Sequence, residues 1–576
     1  MDFKEAVNAL CYAVFLLAMG ALLVKPGFGA QERSTEETAR KEGFLKVGKL
    51  RLQEGWAVVL LMVFALSIRL WRFGEIPGGM NQDGAMAAVD AMALSKYGTD
   101  RFGMFLPVHL TAWGYGQMSS LLSYSMVPFF WLFGMSAVTA RLPVLIFSMI
   151  GLAALYVIAR RLRGVEGAVL TLLFASVNPW HFMQSRWALD CNLFPHVFLI
   201  GVALLLAGIE GKRVWLYLSM IFFGLCMYTY GVSFYTVPVF LACMAFWLCL
   251  QRVLNWKNVL ISAGIYALVS WPIYLTMMIN AFGWKTIRTP FCTMPYFPDS
   301  IRARDILFFA DDKGMQLRNN FLSLVSVYLR GDGLPWNTVP GYGAVTIGFL
   351  PVAALGLIRV LLVCVREEQR VKRAEFFAIL CFFVIGNLSG LITAWVNVNR
   401  INFLFYSLLL LVGIGLDEIR KSLKSLKKLK KLLWIPVIGY GLLSVCFLHT
   451  YFTDHAQTLE YYYFHDFLEA VQTAGQYADD RPLCITPVVR GDERAANTAE
   501  ILTLYALEVD AKLFQGKSVD KNGLSYSEKY QFRELEAGEK PVRGTVYMIT
   551  GEDAKRELWS ECILIPINSY ELAVME

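Results

Sequence analysis

Ser119-Ser120-Leu121-Leu122-Ser123-Tyr124-Ser125-Met126-Val127-Pro128-Phe129-Phe130-Trp131-Leu132-Phe133 is greasy enough to resemble a membrane span and carries five hydroxyl-bearing serines and tyrosines besides. Its reading decides on which side of a membrane every later loop falls. A transmembrane helix needs about 20 apolar residues at about 1.5 Å each. Twelve other apolar segments are candidate spans: 7–24, 56–73, 138–158, 165–178, 195–210, 214–228, 233–250, 258–279, 343–364, 374–395, 400–416 and 433–450. Cytoplasmic loops collect Lys and Arg. The basic connections are Arg160 to Arg163, Lys212-Arg213, Arg252 to Lys257, Arg366 to Arg373 and Arg420 to Lys431. If 119–133 does not cross, all five lie on one side together with the basic segment 25–54. If it crosses, they part from that segment. The stretch is therefore expected to lie in the interface as a helix with its hydroxyls on a wet face, inside one external loop, 74–137.

Composition agrees with a membrane chain. Of 576 residues, 56% are hydrophobic and 17% charged, with a net charge of +7; soluble domains sit near ~45–50% and ~25%. A soluble enzyme, a disordered chain and a fibrous protein are excluded together. The eleven Cys form no CxxC pair and the six His no HExxH, so no zinc knuckle, iron–sulfur centre or c-type haem is indicated. A phosphate-binding P-loop is missing as well, since Ala511 stands where Gly516-Lys517-Ser518 would need its upstream glycine. No nucleic-acid partner is expected.

Three parts follow. Residues 1–55 hold an N-terminal span and a basic cytoplasmic segment. Acidic Asp2 and Glu5 flank Lys4 before that span, where a signal peptide wants positive charge, so an uncleaved span is expected. Residues 56–450 are a transmembrane domain with external loops 74–137 and 280–342. Residues 451–576 turn more polar and alternate helix-like His465–Tyr477 and Ala495–Val509 with strand-like Leu483–Pro487, Thr545–Ile549 and Tyr570–Met575, a small external α/β domain. The fold class is thus an all-α polytopic membrane protein of about twelve spans with that C-terminal domain.

Polar groups at the external ends of spans are where chemistry is expected. Asp83, after Gly78-Gly79 and before a run of small helix formers, sits near a helix N-terminus that stabilises its ionised form; it is a candidate general base, a metal ligand or an N-cap. Asp90 lies two turns on. Around Asn178-Pro179-Trp180-His181 and Ser185-Arg186, Arg186 suits a lipid phosphate, or pairs with Asp190 four residues later on one helical face. Arg400, in Asn397-Val398-Asn399-Arg400, is a second phosphate candidate or a snorkelling arginine. Asp332 and Trp336, in Arg330-Gly331-Asp332-Gly333-Leu334-Pro335-Trp336, suit a sugar or an interfacial belt.

Asp83-Gly84-Ala85, the stretch Gly98 to Pro107, Leu132-Phe133-Gly134, Arg141-Leu142-Pro143, Ser185-Arg186 with Asp190, and Asn399-Arg400 occur in the order seen in one family. Over roughly residues 56–416 the chain resembles the polytopic GT-C glycosyltransferases, in particular the bacterial family 39 and lipid A aminoarabinose transferase-like group, related to protein O-mannosyltransferases. The resemblance implies an inverting transferase taking sugar from a polyprenyl-phosphate donor to a glycan, lipid or protein acceptor at the outer face of the plasma membrane. It maps the acceptor-side carboxylate onto Asp83, with Asp90 or Asp190 able to supply a second one, because Gly84 replaces the Glu usual in relatives. Arg186 and Arg400 map onto positions facing the lipid phosphate, and the long loop 280–342 onto the loop that covers the site in relatives; Asp190, His181, Asp332 and Trp336 are the substrate-binding candidates read from the residues themselves. No cofactor is required and no metal ligand is assigned, a divalent metal remaining an option. The rival readings are a lipid-linked oligosaccharide flippase or other transporter, and a polymerase or ligase.

Overall fold

The computed structural model describes residues 52–112, 116–298, 306–425, 434–515, 529–536 and 538–575. The expected span 7–24, the basic residues up to 51 and the lysine run 426–431 lie outside them. Uninterrupted apolar runs become helices because a segment in lipid must pair every backbone group within itself. Helix α1 (Leu52–Leu70) leads through a turn to α2 (Gln82–Tyr97), and a hairpin of β1 (His109–Ala112) and β2 (Gly116–Ser119) leads to α3 (Leu121–Phe133). There follow α4 (Ala137–Ser176), the short α5 (Pro179–Gln184), α6 (Phe194–Glu210), α7 (Arg213–Cys226), α8 (Ser233–Leu250) and α9 (Trp256–Phe282). The long loop contains β3 (Ile287–Arg288), β4 (Thr293–Met294) and α10 (Lys313–Leu329). After it come α11 (Leu350–Arg366), α12 (Arg370–Ile392), α13 (Leu404–Ser425), α14 (Trp434–Phe452) and α15 (Asp454–Tyr462).

Six described stretches are long and apolar enough to cross a membrane: Ala137–Ser176, Asp190–Glu210, Ser233–Leu250, Trp256–Phe282, Ile347–Arg366 and Arg370–Ile392. The expected spans 138–158 and 165–178 are one helical run bent at Gly164, whose φ of 75° glycine adopts at little cost. The basic residues before the bend are paired: Arg163 with Asp417 (2.7 Å) and Glu418 (2.5 Å), Arg161 with Glu375 (2.5 Å) and Glu210 (2.6 Å). Helices α11 and α13 meet backbone to backbone, Gly356 against the Leu411 carbonyl and Gly415 against that of Val352, the small-residue contact that replaces hydrophobic driving force in lipid.

Helix α3 has 13 residues, or about 20 Å, short of the ~30 Å hydrocarbon core. It is buried against α2, sharing one apolar core with it. The expected wet face of hydroxyls is not there. Ser119, Ser120 and Ser123 are buried, and the hydroxyls satisfy backbone carbonyls: Ser120 donates to Val108 (2.8 Å), Tyr124 to Pro107 (3.1 Å) and Ser125 to Leu121 (2.7 Å). The exposed end is apolar, Trp131-Leu132-Phe133, a composition suited to the headgroup boundary.

The C-terminal part has α16 (His465–Ala478) and α17 (Ala496–Ala506) against a five-stranded sheet of order β10-β11-β9-β5-β8. Its strands are β5 (Leu483–Ile485), β8 (Tyr530–Phe532), β9 (Val546–Thr550), β10 (Ile563–Ile567) and β11 (Tyr570–Val574), with β5 parallel to β8 and β9 and the rest antiparallel. A separate hairpin joins β6 (Val488–Arg490) to β7 (Glu493–Arg494). One core runs from Met86 and Met92 of α2 through Met126 and Phe130 of α3 to Phe467, Leu502 and Met548. The tail is thereby seated on the loop that carries Asp83.

Candidate active site

The turn between α1 and α2 is held by two buried arginines. Arg186 donates through Nη1 to the Arg69 carbonyl and through Nη2 to those of Trp71 (2.9 Å), Arg72 (3.1 Å) and Ile76 (2.9 Å). Phe73, Phe182, Tyr451 and Phe452 surround its guanidinium at 5.2–6.0 Å. Arg141 donates to the carbonyls of Gly79 (2.6 Å) and Gly74 (3.3 Å). The last carbonyls of a helix lack partners within it and carry its negative dipole end, so a cation there is stabilised without a carboxylate. Beyond the turn, Met80 N–H donates to the Tyr463 carbonyl (2.9 Å), and Gly79 is in the left-handed region (φ 79°) where a Cβ would lie 2.2 Å from that same oxygen.

Helix α2 then starts at Asn81, whose Oδ1 accepts from Gly84 N–H (2.7 Å). The N-cap is therefore Asn81, and Asp83 stands in the first turn, partly exposed. Gly84 is pressed on the segment before α6: a Cβ there would meet the Ala188 carbonyl oxygen at 2.8 Å. This contact explains why no side chain follows Asp83. It also sets the first turn of α2, with Asp83, against the segment that leads into Asp190. Asn402 fastens this floor, donating to the Cys191 carbonyl (3.0 Å) and to Asn192 Oδ1 (3.2 Å) and accepting from Trp180 Nε1 (2.6 Å).

The other sequence candidates fall into distinct places. Arg186 and Asp190 do not share a helical face: α5 ends at Gln184, and Asp190 opens a 3-10 turn, its Oδ1 accepting from Cys191 N–H (2.7 Å). Asp90 is buried in an ion pair with Arg101 (2.6 Å), whose N–H also reaches it (3.0 Å). Burial raises its pKa against the pull of Arg101. Neighbouring Asp100, buried and accepting from the N–H groups of Phe102 and Met104, is pushed up to about 7 by burial first and by Asp90 second. His181 is fully buried: Nδ1 lies 2.9 Å from Arg69 Nη2 and Nε2 2.9 Å from Tyr406 Oη, which continues to His196 Nδ1 (2.8 Å). Arginine only donates. His181 Nδ1 therefore accepts and its Nε2 carries the hydrogen, so Tyr406 donates onward to His196.

Asp332 binds loops together, accepting from Asn337 Nδ2 (2.7 Å), Leu334 N–H (3.0 Å) and Val398 N–H (2.9 Å), while burial raises its pKa. Asn337 Oδ1 accepts from Gln184 (3.0 Å), so Asp332 joins α5 to the stretch before Arg400. Arg400 is partly exposed and donates to the Ala394 carbonyl. Trp336 stands edge-on to Tyr462 at 5.6 Å. Among the described residues no three His, Cys, Asp or Glu side chains gather as metal ligands, and no step is assigned to a metal. Sequence reasoning missed Asn402, Arg141 and Arg69 as organisers; the signal was a polar side chain within or at the edge of an apolar run.

Over 90% of this chain and 98% of the other, the structure superposes on the crystal structure of ArnT from Cupriavidus metallidurans bound to undecaprenyl phosphate, at 13% identity and a TM-score of 0.53. The fold is GT-C. The apo state of the same ArnT matches with 12% identity and a TM-score of 0.53, covering 90% of this chain and 97% of that one. Residues 120–278 match the family model of dolichyl-phosphate-mannose-protein mannosyltransferases. No curated protein matches the chain. The expected resemblance and fold class, a GT-C type polytopic membrane protein with a small C-terminal α/β part, are borne out.

Proposed function

We propose that this GT-C membrane glycosyltransferase moves a sugar from a polyprenyl-phosphate donor to an acceptor hydroxyl at the extracytoplasmic face, with inversion and with Asp83 as general base. The observation that carries the reading is the packing of Gly84, next to Asp83 in the first turn of α2, on the Ala188 carbonyl two residues before Asp190, in a bundle with the ArnT fold. Asp83 takes the acceptor proton as that oxygen attacks the anomeric carbon, and the bond from that carbon to the phosphate oxygen breaks. The polyprenyl phosphate leaves with the electron pair, so no covalent enzyme intermediate is needed. Arg400, partly exposed in the turn four residues before α13, is the cation assigned to the departing phosphate; such electrostatic stabilisation is worth ~2.7–4 kcal/mol per donor.

Arg186 is reassigned from phosphate binding to positioning, because both of its Nη groups are spent on the carbonyls of 69–76. Asp90 is reassigned to the Arg101 pair. Asp190 stays a substrate-side candidate on the segment against which Gly84 packs, whereas His181 acts inside the bundle, and Asp332 and Trp336 shape the neighbouring loops. Reconstituted protein should release polyprenyl phosphate from a polyprenyl-phosphate sugar only when an acceptor is present. Donor left intact across pentose and hexose donors and glycan, lipid and peptide acceptors would refute the proposal. Sidedness is tested separately: a cysteine at Thr458 should react with an impermeant maleimide in intact cells, and one at Arg370 only after permeabilisation.

A further inference from the structure

Helices α6 to α9 line an apolar cavity of ≈ 260 Å³, bordered by Leu216, Met220, Ala242, Ala245, Leu254 and Val259 among others. An apolar cavity of about 150 Å³ already stays dry and admits a benzene-sized hydrocarbon. This one lies far from Asp83, at the end of the bundle where α6 passes to α7 and α8 to α9. Ala242 of α8 and Ala263 of α9 are exposed where they border it, so it opens sideways between these two helices, toward lipid.

The two connections at that end supply cations. Lys212, Arg252 and Lys257 are exposed and make no ion pair among the described residues. Lys212 lies four residues before the lining Leu216, and Arg252 and Lys257 each lie two residues from a lining residue, Leu254 and Val259. Glu210, the one carboxylate in these connections, is taken by Arg161. Arg213 is turned inward, donating to the carbonyls of Gly208 (2.8 Å), Ile209 (3.1 Å) and Val253 (3.4 Å), and ties the two connections into one platform.

A greasy slot open to lipid, beneath a platform with three unpaired cations, has the complementarity of one amphiphile. We infer that this is a binding site for a single anionic glycerophospholipid, its acyl chain in the cavity and its phosphate among Lys212, Arg252 and Lys257. Basic pockets between transmembrane helices bind anionic headgroups by this logic. The site is independent of the catalytic reading, since it needs only that the bundle lies in a bilayer.

The test uses the full-length protein reconstituted with phosphatidylglycerol or with phosphatidylcholine of the same chains, washed in detergent and weighed by native mass spectrometry. Each cation near the phosphate contributes roughly fivefold, so retention of phosphatidylglycerol should exceed that of phosphatidylcholine by about a hundredfold, at one molecule per protein. The variant Lys212→Ala/Arg252→Ala/Lys257→Ala, which alters exposed side chains only, should lose that preference. Ala245→Phe, which fills the cavity, should lose the lipid while keeping the cations. Equal retention of both lipids, retention of neither, retention of a polyprenyl phosphate in their place, or phosphatidylglycerol held undiminished by the triple variant or by Ala245→Phe would each overturn the inference.

Discussion

Gly84→Ala is the substitution for which helix propensity and the site geometry disagree in sign. Within an exposed helix, replacing Gly by Ala stabilises by about 1 kcal/mol. At Gly84 the new Cβ would stand 2.8 Å from the Ala188 carbonyl oxygen, 2.5 Å from Asn81 Oδ1 and 2.9 Å from Met80 Sδ. The first neighbour is backbone and cannot swing away. The second is the acceptor that caps α2, and losing a cap costs ~1 kcal/mol; overpacking adds ~1–3 kcal/mol. The net change should be a loss of ~1–3 kcal/mol. Since α2 must also lift from residues 188–191, Asp83 is displaced, and a misplacement near 1 Å can cost about a hundredfold in rate. Chemical denaturation and a sugar-transfer assay on the same purified variant measure both quantities. A variant that is more stable by about 1 kcal/mol and fully active would refute the contact and, with it, the account of Asp83. Gly84→Glu, which restores the Asp-Glu pair of the resembling family, should be worse than Ala, because the extra carboxylate has no room.

Arg186→Lys removes the planar fork that serves several carbonyls at once, and with charged hydrogen bonds worth ~1.5–3 kcal/mol each stability should fall by at least ~3 kcal/mol; a rise in donor KM at unchanged stability would return Arg186 to phosphate binding. Asp90→Asn strands a buried guanidinium and should destabilise by ~3–5 kcal/mol, with kcat of the surviving folded fraction within about threefold of wild type; a large drop in kcat at unchanged stability would make Asp90 catalytic. Asp100, pushed up to about 7, holds its proton when folded at pH values where the unfolded carboxyl, near ~3.9, has lost it. Its contribution is thus fully present below about pH 4 and is lost as pH rises through about 7, by up to ~1.4 kcal/mol per pH unit. Asp100→Asn should flatten that slope in denaturation series across this window, and an unchanged slope would contradict the burial argument.

The parts of the fold legible in the sequence were those decided by charge and period. The basic loops made 119–133 a non-crossing helix; α3 has 13 residues, and its serines serve backbone carbonyls rather than water. In the tail, the alternation over Leu483–Pro487, Thr545–Ile549 and Tyr570–Met575 anticipated β5, β9 and β11. Strand β10 carries Pro566, a residue that argues against a strand. The site was legible as residue types and illegible as pairings. Nothing local shows that Arg186 meets carbonyls more than a hundred positions earlier, nor that Gly84 is glycine because Ala188 lies against it. Such contacts are set by how the turn between α1 and α2 packs on residues 186–188, which single-sequence periodicity does not encode.

The most direct test of the central claim is single-turnover transfer by Asp83→Asn, with polyprenyl-phosphate sugar in excess and an acceptor known to be used by wild type. Asparagine keeps the shape and the first-turn position but cannot accept the acceptor proton. The account predicts a fall of about a hundredfold or more in the transfer step, the range usual for a general base, with donor binding and the denaturation midpoint unchanged. Transfer within about threefold of wild type by a folded Asp83→Asn protein would contradict it.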